Sequence, residues 1–184
     1  VMIKENFKGK GFMSSGVDIL CKENSKVEYL TKTVVEGYYF GEYKAEVELN
    51  AEMKWLNSLK GGNFSRSIVE TNLNDVNARV KTAILCSLDD KSQVDFYTIS
   101  RHNEKNTYSD TMAKGVVKDN SKLLIRGLTR IEKNAAYSDM YRHENVYANV
   151  AGDPLELPSK FEIKESLIEK AIDSASDSLE DAIW

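Results

Sequence analysis

The chain has 184 residues and a mass of 20.8 kDa, close to the size of one domain of roughly 150 residues. Apolar residues make up 41% of it and charged residues 29%, which is typical of a folded soluble protein and excludes a disordered one. No apolar run approaches the roughly 20 residues of a membrane-spanning helix, and the first residues lack the apolar core of a signal peptide. We therefore expect a cytoplasmic protein with no membrane segment.

The net charge of −4 comes from the end of the chain. Residues 160–184 contain three lysines and seven acidic residues, whereas acidic and basic residues balance in residues 1–159. A neutral body with an acidic end does not attract nucleic acid, so no nucleic-acid partner is expected.

The two cysteines and the first histidine lack the sequence spacing of metal-binding or redox sites. Cys21 and Cys86 lie in or beside apolar runs and lack the C-x-x-C spacing of metal and redox sites, so we expect reduced, buried, inert thiols. His102 lies in the polar stretch SRHNEK without a ligand partner at metal-binding spacing. It is expected to be a surface imidazole.

Runs of β-branched and aromatic residues predict strands along most of the chain. In chain order they are VEYLTKTVV (27–35), RSIVETNL (66–73), ARVKTAIL (78–85), QVDFYTI (93–99), KGVV (114–117) and KLLIRGLTRI (122–131). No stretch before Pro154 holds a helical apolar period for about 12 residues, so the body should be almost entirely β. Gly61-Gly62 is expected to be a turn, because no Lys-Ser or Lys-Thr pair follows as in a phosphate-binding loop.

Asparagine followed by a small residue recurs at regular intervals. These pairs begin at Asn24, Asn50, Asn77, Asn106, Asn120 and Asn134, and a further turn is predicted at Asp90-Lys91-Ser92. The period is about 14 residues, or about 28 for a complete circuit, which indicates a β-solenoid of stacked coils. A β-sandwich with a turn every 10 to 15 residues is the alternative.

Residues 109–150 carry a recognisable pattern. K-G-V-V at 114–117 is followed by Asp119 and Ser121 and then by R-G-L at 126–128; the remaining matches are Arg130, Ile131, Glu132, Ala135, Ser138, Asp139 and Tyr141. This segment closely resembles the core of the SufB/SufD family, scaffold proteins of iron–sulfur cluster assembly. The resemblance implies an all-β fold, a right-handed parallel β-helix over residues 1–158 with a short C-terminal helix.

Residues 159–184 are expected to be an acidic amphipathic segment that packs on or beyond the last coil. An apolar stripe predicts an amphipathic helix over residues 162–183. The resemblance implies instead a strand followed by a helix that starts at Ser178. Both alternatives remain open, and in either case the apolar surface needs a partner, the last coil or another subunit.

The resemblance also implies two ligand positions for an iron–sulfur cluster. The family cysteine falls here at Glu144, beside His143, and a second family element falls at residues 172–175, which contain neither cysteine nor histidine. His143 and Glu144 are the candidate metal ligands, with Asp173 and Glu162 as further hard ligands; solvated polar side chains are the alternative. Iron–sulfur sites need thiolate or imidazole ligands, so we expect no stably bound cluster, and a transient one only in a complex.

Basic residues recur at every fourth position from Lys114 through Lys118, Lys122 and Arg126 to Arg130. No aromatic residue separates them, as stacking on single-stranded nucleic acid would require, so a solvated outer face is expected.

Together these features predict a non-catalytic scaffold in iron–sulfur cluster assembly. We expect a homodimer, with a SufC-like ATPase and a SufB-like subunit as further partners. The alternatives are a carbohydrate-binding or carbohydrate-active β-helix protein, for which no repeated acidic cluster is found, and a structural remnant without activity.

Overall fold

The computed structural model describes residues 1–149, which wind into a parallel β-solenoid of five coils and the beginning of a sixth. The strands are β1 (Met2–Cys21), β2 (Lys26–Val47), β3 (Glu52–Lys60), β4 (Phe64–Leu73), β5 (Arg79–Leu88), β6 (Gln93–His102), β7 (Tyr108–Lys118), β8 (Lys122–Ile131) and β9 (Asp139–Asn149). All of their pairings are parallel, which excludes the antiparallel β-sandwich. The all-β solenoid prediction is confirmed.

The strands form two sheets that face each other across the core. The A sheet contains β3, β5, β7 and β9, and the B sheet contains β4, β6 and β8. The long strands β1 and β2 run through both sheets, so each of them forms a whole coil. Corner residues of adjacent coils are 26 residues apart near the start, as for Asn24 and Asn50, and 31 apart for Thr107 and Ser138 near the end. These separations bracket the predicted circuit of about 28 residues.

Stacked asparagines build one corner of the solenoid. Asn24, Asn50, Asn77 and Asn106 all have positive φ, between 54° and 62°. Nδ2 of Asn50 donates a hydrogen bond to Oδ1 of Asn24 at 3.2 Å, and Nδ2 of Asn77 donates to Oδ1 of Asn50 at 2.9 Å. Asparagine occupies this left-handed conformation more readily than most residues because its short amide side chain bonds locally. These four predicted corners are confirmed.

Glycine and aspartate build the opposite corner. A Cβ on Gly37, whose φ is 135°, would lie 2.1 Å from the carbonyl oxygen of Gly11, so the coils can stack this closely only if the residue is glycine. The predicted turns at Gly61-Gly62 and at Asp90 are confirmed, each with positive φ.

The turns predicted at Asn120 and Asn134 are present, at residues 119–120 and 133–134, but neither asparagine has positive φ. Positive φ falls instead on Asp119 and, in the next turn along the chain, on Tyr137. The coil that contains Tyr137 is longer than those before it, which moves its corner past Asn134.

The core between the sheets is aromatic in its first coils. The ring of Trp55 lies 5.5 Å from that of Tyr29 and 6.2 Å from that of Tyr43, between ring centroids. Nε1 of Trp55 donates a hydrogen bond to Oγ1 of Thr71 at 2.9 Å, so the B sheet satisfies the buried indole nitrogen of the A sheet. Later coils bury smaller polar side chains, including those of Ser100 and Thr111.

Three predictions lie outside the described residues: the core boundary at residue 158, the C-terminal helix, and the packing of residues 159–184. Within residues 1–149 the structure contains no helix of the length and apolarity needed to cross a membrane.

Candidate functional site

Both cysteine thiols lie in the core of the solenoid. Cys21 ends β1, with its Sγ 3.7 Å from Sδ of Met53, and Cys86 lies within β5. Burial raises the pKa of Cys21 to about 11 and that of Cys86 to about 12. Because the thiolate is the form that binds metals and attacks electrophiles, both groups are held in their unreactive form near neutral pH. The prediction of free, buried thiols is confirmed.

The prediction of a surface imidazole at His102 is wrong, because this side chain is fully buried at the end of β6. Its Nδ1 lies 2.8 Å from Oγ1 of Thr107, and its Nε2 lies 2.8 Å from Oγ of Ser109. Burial lowers the pKa of His102, so the neutral ring is favoured. The alternation of β6 carries the missed signal, since His102 is in phase with the buried residues Val94 and Phe96.

The contact of His102 with Ser109 has the residue types of a nucleophile and its base, but its hydrogen bonds indicate a structural role. Oγ1 of Thr107 also lies 3.0 Å from the carbonyl oxygen of Glu104 and 2.7 Å from Oγ of Ser138. Both ring nitrogens of His102 therefore contact hydroxyl groups within a buried hydrogen-bond network. A hydroxyl therefore occupies the place where a carboxylate would orient a catalytic histidine, and Ser109 itself is buried.

The two candidate metal ligands lie on β9, and both are exposed. As neighbours in a strand, His143 and Glu144 point to opposite faces of the A sheet. Nε of Arg142 donates to Oε1 of Glu144 at 2.6 Å, so this carboxylate already has a cationic partner. A metal site at this pair stays a prediction; Glu162, Asp173 and residues 172–175 lie outside the part of the chain that the structure describes.

The five regularly spaced basic residues do not form one surface. Lys114 and Lys118 belong to β7 in the A sheet, whereas Lys122, Arg126 and Arg130 belong to β8 in the B sheet. The guanidinium of Arg126 binds the carboxylate of Asp95 at 2.6 to 3.1 Å and lies 4.9 Å from the ring centroid of Tyr97.

A surface depression of about 830 Å³ lies over the short corner at Gly61-Gly62. Its described lining carries acidic residues such as Glu36 and Asp90 together with Lys60 and Lys91, and includes no histidine or cysteine. In residues 1–149 as a whole, no three histidine, cysteine, aspartate or glutamate side chains come together as a metal site would require. The described solenoid therefore brings no set of metal ligands together and presents only its sheet faces, corners and surface depressions.

The fold defines the class of protein as a parallel β-solenoid with its thiols in the core. A family model described as "SUF system FeS cluster assembly, SufBD core domain" matches residues 1–147. The chain therefore belongs to the SufBD core-domain family, whose role is in iron–sulfur cluster assembly. No curated protein and no solved structure matched the chain.

Proposed function

We propose that this chain is a non-catalytic scaffold subunit of a cytoplasmic complex that assembles iron–sulfur clusters. The observation that carries the proposal is the burial of both thiols, whose pKa values of about 11 and about 12 keep them protonated at neutral pH. A SufBD core-domain chain whose thiols are buried does not offer them as cluster ligands. Its contribution to the complex is then a rigid surface that other subunits contact. The cluster is then held transiently, with ligands from another subunit.

The last described coils provide a contact surface for a second copy of the chain. Leu124 and Leu128 point outward from β8 and are 51% and 44% exposed. Ile131 at the end of β8, and Met140 and Tyr141 on β9 in the A sheet, are exposed at the same end of the solenoid. Exposed apolar side chains on the last described coils mark this end as a protein contact. Because β9 has one edge that pairs with no other strand of residues 1–149, backbone groups are available there as well. We assign this end to a homodimer with two-fold symmetry.

The further partners follow from the resemblance to SufB/SufD proteins. A SufC-like ATPase supplies the energy of assembly, and a SufB-like subunit supplies the soft ligands. This division of labour leaves the present chain without a reaction of its own.

Co-purification tests the proposal. The full chain, carrying an affinity tag, is co-expressed with the SufB-like and SufC-like proteins of the same genome, and the eluate is tested for complex and for iron and sulfide content. We expect co-elution with at least one partner and iron and sulfide only in fractions that contain the SufB-like subunit. Elution free of both partners, or iron and sulfide that follow this chain alone, would overturn the proposal.

A further inference from the structure

The outer surface of the A sheet buries residues that the geometry of a solenoid should leave exposed. Side chains alternate along each strand, so Leu56, between the core residues Trp55 and Asn57, points away from the core. Leu56 is nevertheless only 5% exposed, and Leu85, which also points outward from β5, is 1% exposed.

The B sheet provides the internal comparison. In β4 and β6, inward residues are buried and alternate with outward residues. The outward residues, such as Ile68 and Tyr97, are only half-buried. In β3 and β5 this alternation disappears over five consecutive buried residues. The two sheets are built from the same coils, so solenoid geometry alone does not account for the difference.

The buried outward residues form a continuous strip. The parallel register aligns Leu30 with Leu56 and Leu56 with Ala83, and it aligns Ser58 with Leu85 in the neighbouring row. All five are buried. The described strands and their short corners form the wall of the solenoid, so no element of residues 1–149 crosses this strip. We call these five residues the A-sheet strip.

Basic side chains surround the A-sheet strip. Lys32 aligns with Ser58, and Lys54 aligns with Lys81 in the row on the other side of Leu56 and Ala83. These three lysines and Lys114 are half-buried, although lysine is among the most exposed residue types. Basic residues outnumber acidic ones among the outward positions of this sheet. Lys54 binds the carboxylate of Glu28 at 2.8 Å, so positive charge on this surface already attracts carboxylates. The outer surface of the A sheet therefore suits a ligand that is apolar on one side and acidic at its margins.

The end of this same chain has that composition. Residues 160–184 contain seven acidic residues against three lysines, with apolar residues at Ile163, Leu167, Ala171, Ala175 and Leu179. We propose that residues 160–184 dock across the outer surface of the A sheet, with their apolar side chains on the A-sheet strip and their carboxylates beside the lysines.

The exit point of the chain allows this docking. β9 belongs to the A sheet and pairs with β7, which pairs with β5 and then β3. Three strand spacings of about 4.8 Å separate β9 from β3, roughly 14 Å in all. Residues 150–159 can span about 33 Å when extended, so the segment that follows can lie over the strip without strain. The docking site is then the side of the solenoid rather than its last coil.

Site-specific photo-cross-linking tests the contact in the full chain. The photoreactive residue p-benzoyl-phenylalanine replaces Ser58 in the A-sheet strip, or Ile68 on the B sheet as the matched control. Products are mapped by mass spectrometry in an equimolar mixture of unlabelled and ¹⁵N-labelled chains, which separates links within a chain from links between copies. We expect links from position 58 to residues 160–184 of the same chain, and none from position 68. Links to a second copy, or no link at position 58, would reject the proposal.

A charge-reversal pair tests the electrostatic part. Lys32→Glu with Lys81→Glu leaves the ion pair of Lys54 with Glu28 intact. It should release the segment and raise the initial rate of tryptic cleavage after Lys160, Lys164 and Lys170 by roughly tenfold, because cleavage follows the population of the open form. Lys44→Glu, on the B sheet, is the control and should leave the rate unchanged. Concentrated salt should move the wild-type rate toward that of the double variant. Equal rates in the double variant and the control, with unchanged circular dichroism, would show that charge does not hold the segment.

Discussion

Oγ of Ser109 lies 2.8 Å from Nε2 of His102, and this contact joins β7 in the A sheet to β6 in the B sheet across the core. Together with the contact to Thr107, it occupies both ring nitrogens of a fully buried imidazole. The chain has only one other histidine, His143, which is exposed. The pair allows a direct test of what burial does to a titrating group.

We expect His102 to make stability depend on pH. Because burial lowers the pKa of His102, the unfolded chain takes up a proton below about pH 6.5 that the folded chain does not. This contribution to the free energy of unfolding is fully present above that pH and is lost as the pH falls toward the folded-state pKa. His102→Gln should therefore flatten the slope of stability between pH 7 and pH 5, whereas His143→Gln should keep it. Urea denaturation across this range measures both, and an unchanged slope in His102→Gln would refute the assignment.

The corner asparagines should be costly to replace. Asn50→Ala removes an amide that donates to Asn24 and accepts from Asn77, and it places alanine at a φ of 54°. We expect a loss of about 1–2 kcal/mol, the cost of a left-handed conformation, of which Asn50→Gly should recover part. Asn134→Ala, at an exposed position without positive φ, should cost less than about 0.5 kcal/mol. Denaturant midpoints compare the three variants, and similar losses at Asn50 and Asn134 would count against the corner account.

The hydrogen bond that joins Trp55 to Thr71 should contribute to stability across the two sheets. Thr71→Val keeps the shape of the side chain but leaves a buried indole N–H without an acceptor, at a cost of about 1–3 kcal/mol. Thr129→Val, at the equivalent strand face of β8 but only half-buried, is the control and should cost less. Equal losses in thermal denaturation would mean that the indole finds another acceptor.

Period and alternation predict most of the described fold. The asparagine spacing predicts the coil length because a left-handed corner is needed once per coil, and few residue types accept it. The sequence does not predict strand β1, because outward Lys4 and Lys8 and the glycines Gly9 and Gly11 dilute the apolar pattern of this end coil. The pairing of β1 with β2 stabilises this strand, and the local sequence of β1 does not indicate that pairing.

Burial that depends on distant segments is harder to predict. His102 lies in a locally polar stretch, and only its phase with Phe96 indicates that it points inward. Leu56 and Leu85 look like core residues from their type, yet they point outward. The sequence does not predict the corner at Tyr137, because an aromatic residue rarely adopts positive φ. In each case tertiary contacts override the local sequence.

We expect the proposed homodimer to depend on the last coils. Leu124→Ser with Leu128→Ser removes exposed apolar groups of β8 and should raise the dimer dissociation constant at least about tenfold, equivalent to about 1.4 kcal/mol. Phe12→Ser, at a more exposed aromatic residue of β1, should leave the dissociation constant unchanged. Light scattering at micromolar concentration measures both. A wild-type chain that stays a 20.8 kDa monomer on concentration would rule out the dimer.

Anaerobic reconstitution tests the central proposal, that this SufBD core-domain chain, whose two thiols are buried, acts as a scaffold without a stable cluster of its own. The full chain is incubated with ferrous iron and sulfide, desalted, and examined by visible absorbance and by iron and sulfide analysis, in parallel with Cys21→Ser and Cys86→Ser. The account predicts that the wild-type chain and both variants retain no stoichiometric cluster. Stoichiometric cluster absorbance in the wild type that is lost in Cys86→Ser would contradict it, because a thiol held protonated in the core would then be a ligand.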